Sequence, residues 1–403
     1  MRVLAITDWN RGQGGAEAYI GWLRDGLRAA GDDVRLLTSS AGSAGDGAAE
    51  YVAYGTERVS AQIFLQIANP FAVHRLRTAL SEFRPDVVFV NMFAHHLSPA
   101  ILHGLEAFPS VLLVSDYKCV CPIGSKLLPD GSVCNVRAGW ICRRAGCVSL
   151  PHWLRDRPRY ALIRTGVAAM TRVVACSEWV MRELALEGIT SECVHLPVPA
   201  ASADYRRVPA RHPSFLFCGR LDVEKGVDKL LRAFANVIAD HPGSRLSITG
   251  RGPERSRLEE LAGQLGIRDA VTFTGWLEPA AIEQELSRAW ALVAPSLWAE
   301  PLGIVALEAI VRGVPVVASA TGGFAETIEE GVTGCLVPNG DVDMLTARML
   351  EIASGARFTD HTISEAGIRG AVDRHDMGLH IERMRRIFAE TAQDRKSVLQ
   401  SKD

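Results

Sequence analysis

Short β-branched runs alternate with longer amphipathic stretches along this chain, and the alternation occurs twice. Residues 2–7, 34–38, 86–90, 111–115 and 172–176 read as buried parallel strands, each bounded by turn residues and followed by a helix-length segment. The signal returns at 214–218, 245–249, 271–274, 291–294 and 315–319. Strands separated in this way imply βαβ units. Between the two sets, residues 195–213 contain four prolines, which oppose a continuous helix or central strand, so 198–213 is expected to be a linker. The pattern predicts an α/β protein with two doubly wound domains facing across a cleft, and ligands at the carboxyl ends of their sheets. An amphipathic stretch from 380 is expected to return to the first domain, with a polar, frayed tail from about Ala392.

The chain's 403 residues suit two large domains, and 48% hydrophobic with 22% charged residues is ordinary for a globular protein. A formal net charge of −2 gives no case for bulk nucleic-acid binding. No apolar run approaches the roughly 20 residues of a membrane-spanning helix. The first ten residues read directly as a strand rather than a signal peptide, which makes the cytoplasm the expected compartment. Cysteines there are thiols or metal ligands rather than disulfides. Cys121, Cys134, Cys142 and Cys147 lie in a loop-rich insertion, 116–150, and offer four thiolates to a structural zinc ion, although no C-x2-C pair is present. Free thiols are the other reading. Arg137, Arg143, Arg144, Arg155, Arg157, Arg159 and Arg164 sit in the same region, and Asp156 is the only acid among residues 137–172. Such a strip could meet anionic lipid in peripheral contact with the inner membrane face, hold an acidic acceptor, or simply be a solvated face.

The most informative stretch is Glu300-Pro-Leu-Gly-Ile-Val-Ala-Leu-Glu308. Pro301 suits the first position of a helix, where its missing N–H has no intrahelical partner. Glu300 would then stand at the helix mouth and Glu308 two turns along. The open N–H groups of Leu302, Gly303 and Ile304 would form a site for phosphate. Carboxylates beside bound phosphate accept hydrogen bonds from sugar hydroxyls, so a nucleotide sugar is the expected ligand.

This stretch resembles the E-x7-E signature of retaining glycosyltransferases of the GT-B fold, family 4. Phe217-Cys-Gly-Arg-Leu-Asp-Val-Glu-Lys-Gly-Val227 resembles the family's G-R-L-x-x-x-K-G segment, Thr249-Gly-Arg-Gly-Pro253 its G-x-G-P, and Gly14-Gly-Ala-Glu17 its G-G-A-E turn. The resemblance implies that Arg220 and Lys225 hold the diphosphate and stabilise its developing charge. It also implies that Glu300 contacts the transferred sugar and Glu308 the ribose, with Gly14, Gly15, Gly219, Gly250 and the amides around Gly303 lining the donor site. Residues 1–197 become an acceptor domain and 214–379 a donor domain. Relatives often carry a histidine after a strand near the reacting sugar; here Asn91 and Ser115-Asp116 occupy those places, with His95 and His96 nearby. Asp116 is the best acidic candidate in that half.

The function expected is retaining transfer of a sugar from a nucleoside-diphosphate (NDP) sugar to a glycan, lipid or small-molecule acceptor, with no catalytic metal or cofactor. Its rivals are a nucleotide-sugar 2-epimerase-like isomerase and a catalytically silent nucleotide-sugar binder.

Overall fold

In a computed structural model that describes residues 1–9, 15–41 and 49–400, the chain divides into two compact units. The first comprises Met1–Gly124, Asn135–Pro197 and Met377–Asp403; the second comprises Ser125–Cys134 and Val198–Asp376.

The first unit carries seven parallel strands, β1 (Arg2–Ile6), β2 (Asp33–Ser39), β3 (Tyr51–Ala53), β4 (Val87–Val90), β5 (Ser110–Val114), β6 (Arg172–Ala175) and β7 (Glu192–Cys193), in the order β3-β2-β1-β4-β5-β6-β7. The second has six, β8 (Ser214–Cys218), β9 (Arg245–Thr249), β10 (Val271–Gly275), β11 (Ala291–Ala294), β12 (Val316–Ser319) and β13 (Gly334–Val337), in the order β10-β9-β8-β11-β12-β13. All ten strands read from the sequence are present to within a residue at either end. Every residue of β4, β5, β11 and β12 is buried, because helices cover both faces of a parallel sheet, and this produces uninterrupted apolar runs rather than alternation.

Helix faces complete each core. In the helix Val227–Asp240, Val227, Leu230, Leu231, Phe234 and Val237 recur at helical spacing and are all buried with Phe215, Phe217 and Ile248 of the sheet. The helix Met377–Gln400 packs in the first unit. There His380 Nε2 lies 3.0 Å from Tyr19 Oη, the Phe388 ring lies 5.6 Å from Phe89, and Arg385 Nε donates to the buried Asp32 at 2.8 Å. The sequence led us to expect fraying from about Ala392, but the helix runs on to Gln400, held in part by Arg172 Nη2 donating to Asp394 at 2.8 Å.

Residues 198–213 form no helix or strand, yet they are bonded along the second unit. Val208 N donates to Ser287 O at 3.0 Å, Ala210 N to Arg288 O at 2.9 Å, and Trp290 Nε1 to Ala210 O at 2.7 Å. Among the described residues no helix is long and apolar enough to cross a membrane.

Candidate functional site

Each sheet has one point where strand order reverses: β1 beside β4 in the first unit, β8 beside β11 in the second. Loops leaving the carboxyl ends of such a pair diverge and leave a crevice, the usual ligand position in open α/β sheets.

In the second unit these loops are residues 219–226 and 295–303. Lys225 ends a 3-10 turn, Val223–Lys225, and Gly226 follows at φ +64°. A Cβ on Gly226 would stand 2.1 Å from Pro295 O, so this position needs glycine for both its conformation and its packing. Leu297 N donates to Glu224 O at 2.8 Å, which joins the two loops through backbone. Their side chains then meet: Lys225 Nζ donates to Glu300 Oε1 at 2.5 Å, Ser296 Oγ donates to the same oxygen at 2.7 Å, and Lys225 Nζ lies 5.1 Å from the centre of the Trp298 ring. Glu300 is only 7% exposed. Burial pushes its carboxyl upward, but the Lys225 charge and the hydrogen bonds from Lys225, Ser296 and Trp298 outweigh it and leave the group below the ordinary carboxylate range. The result is an ionised, water-poor carboxylate clamped to an ammonium.

The helix after Glu300 begins later than its proline suggests. It spans Ile304–Ile310, with Gly303 at φ +81° as its N-cap and Pro301 in the preceding loop. Glu300 is held in extended pairing with Gly322, and its carbonyl accepts from Gly323 N at 2.6 Å, so the backbone cannot coil until Gly303 turns it. Glu308 consequently lies little more than one turn into the helix rather than two. The amides of Leu302, Gly303 and Ile304 donate to no group among the described residues.

Glu308 is half-buried, and its carboxylate makes no hydrogen bond or ion pair among the described residues, since the neighbouring Arg312 is committed to Glu283 at 2.7 Å. Burial raises its carboxyl above the ordinary range, with Arg312 opposing only in part. The same surroundings push the Cys218 thiol up to about 12, through burial and the Glu308 charge. Arg220 stands apart from the Lys225–Glu300 pair. Its side chain is 66% exposed and bonds Asp222 at 2.8 Å, with Glu224 at 3.9 Å.

The amides of Gly219 and Gly250 are engaged by Thr249 O at 3.0 Å and Gly275 O at 2.8 Å. These glycines therefore serve close backbone packing and offer no free N–H to a ligand. Gly14 lies outside the described residues. Gly15 is exposed and opens the helix Gly15–Ala29.

At the first unit's reversal point the decisive side chain is one the sequence reading missed. Asp8, two residues beyond β1, is fully buried and accepts the backbone N–H groups of His95 at 2.6 Å, His96 at 2.9 Å and Leu97 at 2.8 Å. An acid directly after a buried strand was the available signal. Asp8→Ala would strand three amides together and is expected to destabilise the protein by on the order of 3 kcal/mol in urea unfolding, with Asp8→Asn costing less. Asn91 is buried and accepts Ser115 Oγ at 3.4 Å. Asp116 accepts Lys118 N at 2.9 Å, and the Lys118 ammonium lies 3.5 Å from its other oxygen. Burial and the Lys118 charge hold His95 down at about 4, so its imidazole is neutral at pH 7.

Of the zinc candidates, Cys121 and Cys142 both act on the Tyr160 hydroxyl, Cys147 N donates to Cys142 O at 3.0 Å, and Cys134 N donates to Lys126 O at 2.7 Å. Among the described residues no three His, Cys, Asp or Glu side chains are placed to hold a metal ion.

Comparison with known proteins agrees with this architecture. Residues 205–368 match the family model "Glycosyl transferases group 1" and residues 14–199 match "Glycosyl transferase 4-like domain". The chain is 36% identical over 151 residues to an uncharacterized glycosyltransferase of Methanocaldococcus jannaschii, a match covering 38% of this chain and 38% of that protein. The chain thus spans well under half the length of that curated relative. Among solved structures, sucrose-phosphate synthase from Thermosynechococcus elongatus is similar with a TM-score of 0.73 at 21% identity, over 97% of this chain and 99% of that one. Anabaena Alr3699/HepE, in complex with UDP and glucose, is similar with a TM-score of 0.68 at 19% identity, over 97% of this chain and 100% of that one. The fold is GT-B, built from two Rossmann-like α/β domains, and the matched models support a GT-B glycosyltransferase.

Proposed function

We propose that this protein is a retaining glycosyltransferase that moves a sugar from an NDP-sugar to the hydroxyl of a glycan, lipid or small molecule. The observation that carries the reading is the pair of the half-buried Lys225 with the buried Glu300 at the carboxyl ends of β8 and β11. An ammonium next to the departing β-phosphate is favoured more as the bond breaks and negative charge accumulates there than in the resting donor. Glu300, ionised and rigidly held, accepts hydrogen bonds from hydroxyls of the transferred sugar. Arg220, on a mobile-length side chain now paired with Asp222, adds a second cation on the same loop. Glu308 takes the ribose. In the reaction the bond from the anomeric carbon to the phosphate oxygen breaks and the acceptor oxygen bonds that carbon on the same face. The acceptor's proton passes to the departing phosphate. Asp116 lies with His95 and Asn91 in the loops that follow β4 and β5, where it would orient acceptor groups rather than take the proton.

The test is a thermal-shift screen against UDP-, GDP-, ADP- and TDP-sugars, beginning with UDP because HepE holds it, with Glu308→Ala run in parallel. A selective stabilisation that the variant loses is the expected result. Silence towards every nucleotide sugar would remove the basis of the reading.

A further inference from the structure

The first unit contains a cavity of about 150 Å³, lined in part by His95, Lys118, Asp156, Arg159 and Tyr160. About 10–15 Å³ admits one water, so this space takes a group much larger than a single solvent molecule. Its walls follow from sequence spacing: Asp156, Arg159, Tyr160 and Ile163 recur at helical intervals on the helix Leu150–Ala169 and so share a face. Lys118 comes from the loop after β5 and His95 from the loop after β4.

The acids around this cavity are each taken by a partner other than Arg159. Asp156 is held by Arg155 Nε at 2.8 Å and Nη2 at 2.9 Å, Asp116 by Lys118, and Asp8 by three backbone amides. All three acids attract Arg159 through space, yet none forms an ion pair with it among the described residues. Its one hydrogen bond runs from Nη2 to the neutral carbonyl of Ala94 at 2.7 Å. The Arg159 Nε and the Tyr160 hydroxyl are both sealed from water without a partner. A guanidinium offers five N–H donors and no acceptor, and a buried donor left unmade costs its desolvation. The wall therefore holds two buried donors, Arg159 Nε and the Tyr160 hydroxyl, that no acceptor among the described residues satisfies.

We infer that this cavity binds the oxyanion of the acceptor substrate, a phosphate or carboxylate group held by Arg159 and Lys118 with the Tyr160 hydroxyl. The inference rests on the proposed transferase reading for the word acceptor; anion binding itself stands independently of it. Of the meanings open to the arginine-rich strip, it selects the acidic acceptor. The neutral imidazole of His95 beside the site is suited to accept a hydrogen bond from a hydroxyl of the same molecule.

The test is calorimetric titration of the full-length protein with inorganic phosphate and, separately, with glucuronate, in wild type, Arg159→Gln, Lys118→Gln and Lys225→Ala. Lys225→Ala removes the cation proposed for the donor site, so binding that survives there belongs elsewhere. The expected result is that one of the two anions binds Lys225→Ala much as it binds wild type. Arg159→Gln should weaken that binding by on the order of tenfold to a hundredfold, and Lys118→Gln by several-fold. Whichever anion binds identifies the acceptor's charged group. Lys118→Gln leaves the Arg159–Ala94 bond in place, which covers the case where Arg159→Gln unfolds. Binding that is lost in Lys225→Ala but unchanged in Arg159→Gln and Lys118→Gln would overturn the inference while leaving the donor site intact. Absence of binding by either anion would also overturn it.

Discussion

Lys225→Ala is expected to lower turnover of the donor by about a hundredfold to a thousandfold and to destabilise the fold by about 3–5 kcal/mol. The two losses have different causes. The first is the missing cation at the leaving phosphate. The second is Glu300, left ionised and buried with Ser296 still donating but no ammonium. The double variant Lys225→Met/Glu300→Gln removes both charges and should recover most of the stability with none of the turnover. The pH response separates them further. In wild type the Glu300 carboxyl is depressed below its unfolded value, so the stability it contributes is complete above the ordinary carboxylate range and is lost as pH falls through the depressed value. Without Lys225, burial dominates and the sign reverses, so the single variant should close part of its deficit as the solution is acidified. Urea unfolding at several pH values and initial rates with the preferred donor check both parts. Turnover within a few-fold of wild type in Lys225→Ala would remove Lys225 from the leaving-group site.

The sequence revealed most where the physics is local or strongly repeated. Buried central strands such as β4 and β11 carry unbroken apolar runs that nothing else explains, and they were legible to within a residue. The edge strands β3, β7 and β13 were not, because three residues, two residues and a Gly-Cys-Leu-Val tetrapeptide are too short for any period to show. Glu300 and Lys225 were legible as a motif, but their direct contact was not, since 75 residues separate them and only the meeting of two loops brings them together. The helix start was misplaced for a similar reason. Pro301 favours an N-terminus locally, and the pairing of Glu300 with Gly322, a tertiary effect, overrides it. Arg159 appeared in the sequence only as part of a basic strip, and Tyr160 not at all. Their distinction is a buried polar atom each, Arg159 Nε and Tyr160 Oη, left without a partner, which only the packing of a helix against two loops discloses.

Glu308 provides the second large effect, and it sets stability against function. Its half-buried carboxylate has no counterion in contact, while Arg312 is spent on Glu283. A charge kept in this state costs folding energy and is best explained by a ligand that uses it. Glu308→Gln should therefore raise the melting temperature of the free protein at neutral pH. Because the carboxyl is raised in the folded state, its charge detracts from stability only above the unfolded value, so the advantage of the variant should shrink as pH falls into the ordinary carboxylate range. Nucleotide binding should move the other way. Loss of a charged acceptor for the ribose hydroxyls weakens it by on the order of tenfold to a hundredfold. In wild type, affinity should decline as pH drops through the raised Glu308 value, whereas the variant, having no carboxyl to titrate there, should be weak and nearly flat. Calorimetric titration of the nucleoside diphosphate at several pH values distinguishes the two profiles. A variant that binds the nucleotide as tightly as wild type would free Glu308 from the ribose and leave its unpaired charge without a purpose in the donor site.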